Sequence, residues 1–230
     1  MTTLLTGGTG TLGRQLAPLL PDALVLSRSG GDRRGDLATG GGLKRALDGV
    51  DTVVHLAAGK DQETETRNLL TAATDVKHIV FISIVGIDEI PFGYYRQKLA
   101  AEKLVLATGR ASVLRTTQFH EFAIGLFEAQ RRLPVLFAPA LRIQPIDTRV
   151  VAARLAALAA GIPVGRVDDL GGPDVFTGRE IGKLYRAYRG WRRPLVDLRL
   201  PGATFRAFGA GHNLTPNRAG GRTFTEFLHS

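Results

Sequence analysis

Two periods of apolar residues alternate along the first half of the chain. Short apolar runs at Thr3–Thr6, Ala23–Leu26, TVVHL at 52–56, HIVFISI at 78–84 and Ala111–Leu114 predict strands. Between them, Thr11–Leu20, Leu43–Leu47, Glu63–Ala73 and Tyr94–Ala107 place apolar residues at helical spacing. HIVFISI is a continuous apolar run, as expected of a parallel strand covered on both faces. Strands separated by helices form right-handed βαβ units, so the pattern predicts an α/β chain. Its core is a Rossmann-type, doubly wound parallel sheet that binds ligands at the carboxyl ends of its strands.

After Arg115 the rhythm changes. A helix is expected at Phe119–Arg131, then short apolar pieces PVLF and RIQPI, and an Ala-rich helix Thr148–Ala160 capped by Asp147 and ended by Gly161 and Pro163. A strand near Val167–Leu170, a helix Arg179–Tyr188, a strand PLVDLRL and a helix from Ala203 follow. This half reads as a small α+β substrate lobe, dividing the chain into a core, 1–118, and a lobe, 119–230. The stretch SRSGGDRRGDLATGGG reads as a loop.

Composition narrows the class. With 230 residues, 44% hydrophobic and 22% charged, a packed core is affordable and disorder is not expected. The absence of Cys excludes disulfides, thiolate metal sites and a cysteine nucleophile, and fits a cytoplasmic setting. No apolar run reaches the roughly 18 residues of a membrane span, and no signal peptide is visible. The net charge of +9 comes mostly from Arg, but the arginines are scattered. That distribution favours attraction of a small anion over a nucleic-acid interface. A monomer or homodimer is expected. No His/Asp/Glu cluster has metal-ligand spacing, and no Gly-x-Ser-x-Gly elbow is present.

The candidate chemistry begins in TGGTGTLG, which sets Gly7, Gly10 and Gly13 between the first strand and the first helix. In a dinucleotide site the first glycine permits the turn, the second admits a pyrophosphate, and the third lets helix and strand pack closely. The helix start, Thr11 and Leu12, offers free N–H groups to the phosphates. The second strand ends in LSRSG with no acidic residue. Ser27 and Ser29 can donate hydrogen bonds and Arg28 can pair with a 2′-phosphate, so NADP(H) is favoured over NAD(H). On the helix at 94–107, Tyr94 and Lys98 lie one turn apart. A lysine ammonium there favours the phenolate, so Tyr94 is a candidate proton donor or acceptor, with Tyr95 as a rival. RTTQFHEF after the fifth strand offers Thr116, Thr117, Gln118, Phe119, His120 and Phe122 to a cofactor and substrate pocket, with His120 a candidate proton relay.

TGGTGTLG, GDL at 35–37, HLAAG at 55–59, RNLLTAAT at 67–74 and HIVFISIVGID at 78–88 together resemble the short-chain dehydrogenase/reductase superfamily. The resemblance is to its atypical, NmrA-like and NAD(P)H-binding reductase branch. It implies that Asp36 and Leu37 border the adenine, that Leu56, Ala57 and Ala58 follow the ribose and pyrophosphate, and that Asn68 bonds strand backbone. It also implies that Lys98 reaches the nicotinamide ribose. Ser83 is the hydroxyl nearest the family's usual catalytic serine, although alignment on the following glycine puts that position at Ile84 or Val85. The expected function is an NADPH-dependent oxidoreductase acting on a carbonyl, quinone or enone. An NADP(H)-reading sensor and an epimerase or dehydratase of the extended type are the alternatives.

Overall fold

The computed structural model describes residues 1–230. The predicted strands are present as β1 (Thr3–Thr6), β2 (Leu24–Ser27), β4 (Thr52–His55), β5 (His78–Ile84) and β6 (Ala111–Thr116). Two more join them: β3 (Arg33–Arg34), inside the stretch expected to be loop, and β9 (Gly165–Arg166). Together they form a seven-stranded parallel sheet of order β3-β2-β1-β4-β5-β6-β9. The chain order reverses at β1, which pairs with β2 through Leu5↔Val25 and with β4 through Leu5↔Val54. The carboxyl ends of β1 and β4 therefore flank the switch point, where doubly wound folds take ligands.

The connecting helices are α1 (Thr11–Leu16), α2 (Leu43–Ala46), α3 (Gln62–Ala72) and α4 (Gly93–Ala107). The first is shorter than predicted. The chain tightens into a 3-10 turn at Ala17–Leu19, where Pro18 has no N–H to continue an α-helical ladder. Alternate strand residues Leu4, Val53, Ile79, Phe81 and Val113 build one buried face with Leu43, Leu69, Ala101 and Val105. The full burial of β5 from His78 to Ser83 accounts for its unbroken apolar run.

Two compact units interleave along the chain. One comprises Met1–Ser83, Gly93–Arg115 and Val151–Asp168, and the other Ile84–Phe92, Thr116–Val150 and Asp169–Ser230. This differs from a single division at residue 118, because most of helix α6 (Thr148–Ala159) and β9 return to the sheet unit. The strand expected at Val167–Leu170 lies two residues earlier as β9, paired to β6 through Ser112↔Gly165.

The second unit contains α5 (His120–Glu128), β7 (Leu136–Pro139), β8 (Arg142–Ile143), β10 (Phe176–Thr177), α7 (Gly178–Tyr188), β11 (Leu195–Leu198), α8 (Ala203–Ala210) and α9 (Phe224–Leu228). Strand β7 pairs in parallel with β11, and β8 antiparallel with β10. Its core joins Ala123, Phe127, Ile143, Ile181, Tyr185, Phe224 and Leu228. Helix α9 was not predicted. At five residues it is too short for a periodic signal, but Thr223 and Glu226 form a capping box that its T-x-x-E spacing encodes. The predicted cap at Asp147 is present: its Oδ1 accepts from Arg149 N at 3.0 Å.

Candidate functional site

The glycine turn after β1 is built as its spacing predicts. Gly7 has φ +71°, and a Cβ there would meet Ala57 N at 2.8 Å. Only glycine lets this turn lie against the chain leaving β4. A Cβ on Gly13 would press on backbone, Gly8 Cα at 2.6 Å and Gly8 C at 2.7 Å. A Cβ on Gly10 would meet only Gly7 O, at 3.3 Å. Gly13 therefore serves packing, whereas the space in front of Gly10 is open. Gly10 is the N-cap of α1 and no side chain caps that end, so the N–H groups of Thr11 and Leu12 face that space. These residues fit a pyrophosphate.

Thr6, at the end of β1, ties the turn to the β4 exit. Its Oγ1 accepts from Leu56 N and Ala57 N, both at 3.2 Å, and donates its one proton to His55 Nδ1 at 2.7 Å. His55 Nε2 then carries the ring proton and donates to Thr66 Oγ1 at 3.1 Å. Burial, with the Lys98 charge adding to it, drives His55 down to about 3, so the ring is neutral. Ala58 and Gly59, beyond this brace, are exposed, and Gly59 N donates to Glu65 Oε2.

At the end of β2, Ser27 Oγ accepts from Ser29 N and Gly30 N, which shapes the loop, while Arg28 and Ser29 are exposed. Arg28 lines a cavity of about 650 Å³ with Arg33, Arg34 and Arg45. The two carboxylates on its wall are turned toward backbone: Asp32 accepts from Val25 N and Asp36 from Ala38 N. The pocket is therefore strongly basic. Only Arg28 was singled out in the sequence; the Arg33-Arg34 pair belongs here because β3 folds it back beside Ser27. Leu37 packs on the core. Asn68 bonds the loop carbonyls of Leu37 and Ala38, at 2.9 and 3.2 Å, and not a strand.

Helix α4 carries Tyr94 and Lys98 as expected, but their relation differs. Lys98 is 3% exposed, and its Nζ lies 4.3 Å from the centre of the Phe81 ring. Burial lowers it to about 8 against the pull of Glu102 and Glu65. The ammonium has no hydrogen-bond acceptor in the protein. Tyr94 is 42% exposed, and its phenol is raised from the ordinary tyrosine value. Burial is the main cause, and the Gln62 amide draws it back only in part. The lowered phenol expected from Lys98 is thus absent, because the ammonium turns to the Phe81 face. The rival, Tyr95, is buried.

Ser83 is buried, and its hydroxyl donates to Glu102. Glu102 also takes Arg115, with Nη2 at 2.7 Å from Oε1 and Nε at 3.0 Å from Oε2. Ser83 therefore belongs to a buried ionic cluster, and its proton is not offered to a substrate. Glu102 was not anticipated, although its spacing of four from Lys98 was visible.

In the second unit, Thr117 Oγ1 accepts from Gly172 N, and Gln118 Oε1 accepts from Asn213 Nδ2 at 3.1 Å. His120 Nε2 donates to Arg222 O at 3.0 Å, and its ring packs on Phe224 and Phe227. A proton relay does not fit this enclosed, structural setting. Phe119 is half-buried as the N-cap of α5, and Phe122 is exposed. Of the residues expected to line one pocket, Thr117, Gln118 and His120 are thus each bonded within the second unit.

No protein-family model matches the sequence, and no curated protein matches it. Solved structures do match in fold. A nucleoside-diphosphate-sugar epimerase from Staphylococcus aureus aligns with a TM-score of 0.81 at 19% identity, over 100% of both chains. An NADPH-dependent quinone oxidoreductase from Escherichia coli, complexed with NADPH, aligns with a TM-score of 0.80 at 18% identity, over 99% of this chain and 98% of that one. A Citrobacter sp. triphenylmethane reductase complexed with NADP(H) aligns at 0.75 and 18%, over 94% and 93%. At these identities the likeness is one of fold, and the chain has the same α/β architecture, built on a seven-stranded parallel sheet, as these epimerases and reductases.

Proposed function

We propose that the chain is an NADPH-dependent reductase that delivers hydride to a small, electron-poor carbonyl, quinone or enone. The observation that carries this reading is Lys98, a buried cation without a protein acceptor, on a helix of the unit that holds the open glycine turn. A buried ammonium in that condition awaits oxygen acceptors, and the hydroxyls of a nicotinamide ribose supply them.

When bound, the reduced nicotinamide supplies the hydride. The chain's own residues do the rest. Gly10 and the start of α1 take the pyrophosphate through backbone N–H groups. Thr6 and His55 fix the β4 exit on the other side of the turn. Arg28, Arg33, Arg34 and Arg45 give a 2′-phosphate several guanidinium partners, which favours NADP(H) over NAD(H). Lys98 holds the ribose, and Tyr94 stays protonated at neutral pH.

The acceptor class follows from what is missing around the reacting centre. Ser83 is committed to Glu102, and the Tyr94 phenol is raised instead of lowered. That pair is poorly suited to protonate an alkoxide in step with hydride transfer. A quinone or an activated double bond takes a hydride to give a stabilised anion that water can protonate, so it needs neither group. The same facts support the sensor reading as the second choice. A panel of quinones, enones and simple ketones offered with NADPH separates the two: turnover of quinones over ketones supports the reductase, and tight NADPH binding without turnover of any supports the sensor.

A further inference from the structure

We propose that Glu102 is a positioning residue, the buried counter-charge that keeps Lys98 an ammonium at neutral pH, itself held in place by Ser83 and Arg115.

Lys98 and Glu102 are one turn apart on α4, so their side chains share a helix face, and both are buried. Glu102 cannot swing away: Arg115 grips both carboxylate oxygens through three hydrogen bonds and Ser83 donates a fourth. The Arg115 and Glu102 side chains are only 4% and 3% exposed, so this ion pair is sealed from water.

Lys98 meets the following groups. From β5 comes the Phe81 face, which attracts a cation. From β4 comes His55, neutral because it is buried and bonded to Thr6 and Thr66. From α3 comes the half-exposed Glu65, held to Gly59 N. From α4 itself comes Glu102, one turn later, while Tyr94 and Tyr95 stand one turn earlier on the same helix. Arg115, from β6, brings a positive charge that its bond to Glu102 offsets.

A lysine enclosed in this way without a counter-charge sheds its proton, since desolvation penalises only the charged form. Of the two carboxylates acting on it, Glu102 acts more strongly than Glu65. The consequence for function rests on the cofactor reading above. An ammonium offers three donors to a ribose diol, whereas a neutral amine offers two and no charge. The lysine chosen by the chain to meet a cofactor is thus made usable by a carboxylate that never touches it.

The test reads Lys98 first in the free protein, by 13C NMR of lysine ε-carbons across pH. Wild type is expected to titrate near the value of about 8 set by its surroundings. Glu102→Gln keeps the shape and an acceptor for Ser83, and should lower that midpoint by about one to two units. Glu102→Asp, which restores the charge, should bring it back to within about half a unit of wild type. NADPH affinity measured at pH 7 should fall up to roughly tenfold in Glu102→Gln and recover toward wild type as pH drops, because the ammonium fraction recovers. An unchanged Lys98 midpoint in folded Glu102→Gln overturns the proposal. So does a wild-type midpoint below about 7, which needs no variant to fold. If wild type binds no NADPH, the cofactor reading fails, while the NMR titration still decides the role of Glu102.

Discussion

Glycines 10 and 13 look alike in the sequence, but the structure gives them separable jobs. Replacing each with alanine should separate them by assay. At Gly13 the new methyl would sit 2.6 Å from Gly8 Cα and 2.7 Å from Gly8 C, both backbone atoms that cannot rotate away. Alanine in a helix ordinarily gains up to about 1 kcal/mol over glycine. Overpacking costs about 1–3 kcal/mol, and contact with fixed backbone atoms places this site at the upper end, so the net loss after the helix gain should be about 2 kcal/mol. For a chain of this size that lowers the Tm by about 4–8 °C. At Gly10 the backbone, φ −75° and ψ 175°, suits any residue, and the methyl meets only Gly7 O at 3.3 Å. Gly10→Ala should therefore lose no more than about 1 kcal/mol, the usual difference at an N-cap. It should still weaken NADPH binding by tenfold or more, on the order of 1.4 kcal/mol, because the methyl enters the space left for the pyrophosphate. Thermal melts with NADPH titrations on both variants check this. A Gly13→Ala protein as stable as wild type would refute the packing argument, and a Gly10→Ala protein with unchanged NADPH affinity would remove the phosphate from this turn.

Other outcomes follow from the same structure. Arg28→Ala should cost NADPH affinity about tenfold and leave NADH affinity unchanged, the arginines at 33, 34 and 45 limiting the loss; equal effects on both cofactors in calorimetry would rule out a 2′-phosphate contact. Tyr94→Phe should change quinone turnover by less than about threefold, whereas a loss of about 10²–10⁴ would show that the phenol is a general acid after all. Asp147 gives a pH-dependent anchor for the C-terminal segment. Burial alone would raise it, but Arg149 and Arg222 outweigh burial and hold it below the ordinary carboxylate value of 3.8. A depressed carboxyl stabilises the fold above its unfolded value, and that stability is lost as pH falls below it. Melts between pH 5 and about 2 should therefore show a steeper loss of stability in wild type than in Asp147→Asn, and parallel curves would contradict the assignment.

The sheet unit was legible because its signals were local. The continuous run HIVFISI, the short strand TLLT and the glycine spacing each have one physical reading in a parallel sheet. The second unit was less so. Strands β8, β9 and β10 have two residues each, too few to show a period. At the site, residue types were easier to find than their partners. Lys98 was visible, but its orientation depends on Phe81, which is distant in sequence and adjacent only through the sheet. Ser83 was visible too, but not its bond to Glu102 across helix and strand. The basic pocket escaped notice because the Arg33-Arg34 pair reaches Ser27 only through the two-residue strand β3.

Single-turnover absorbance decides whether the protein transfers hydride from NADPH. The protein, saturated with NADPH, is mixed with a quinone in the absence of oxygen, and the nicotinamide signal is followed in the stopped flow. The expected result is a first-order loss of reduced nicotinamide that saturates with quinone concentration and is far slower with NADH in place of NADPH. Persistence of the reduced nicotinamide signal across a panel of quinones and enones, with NADPH shown to be bound, would contradict it.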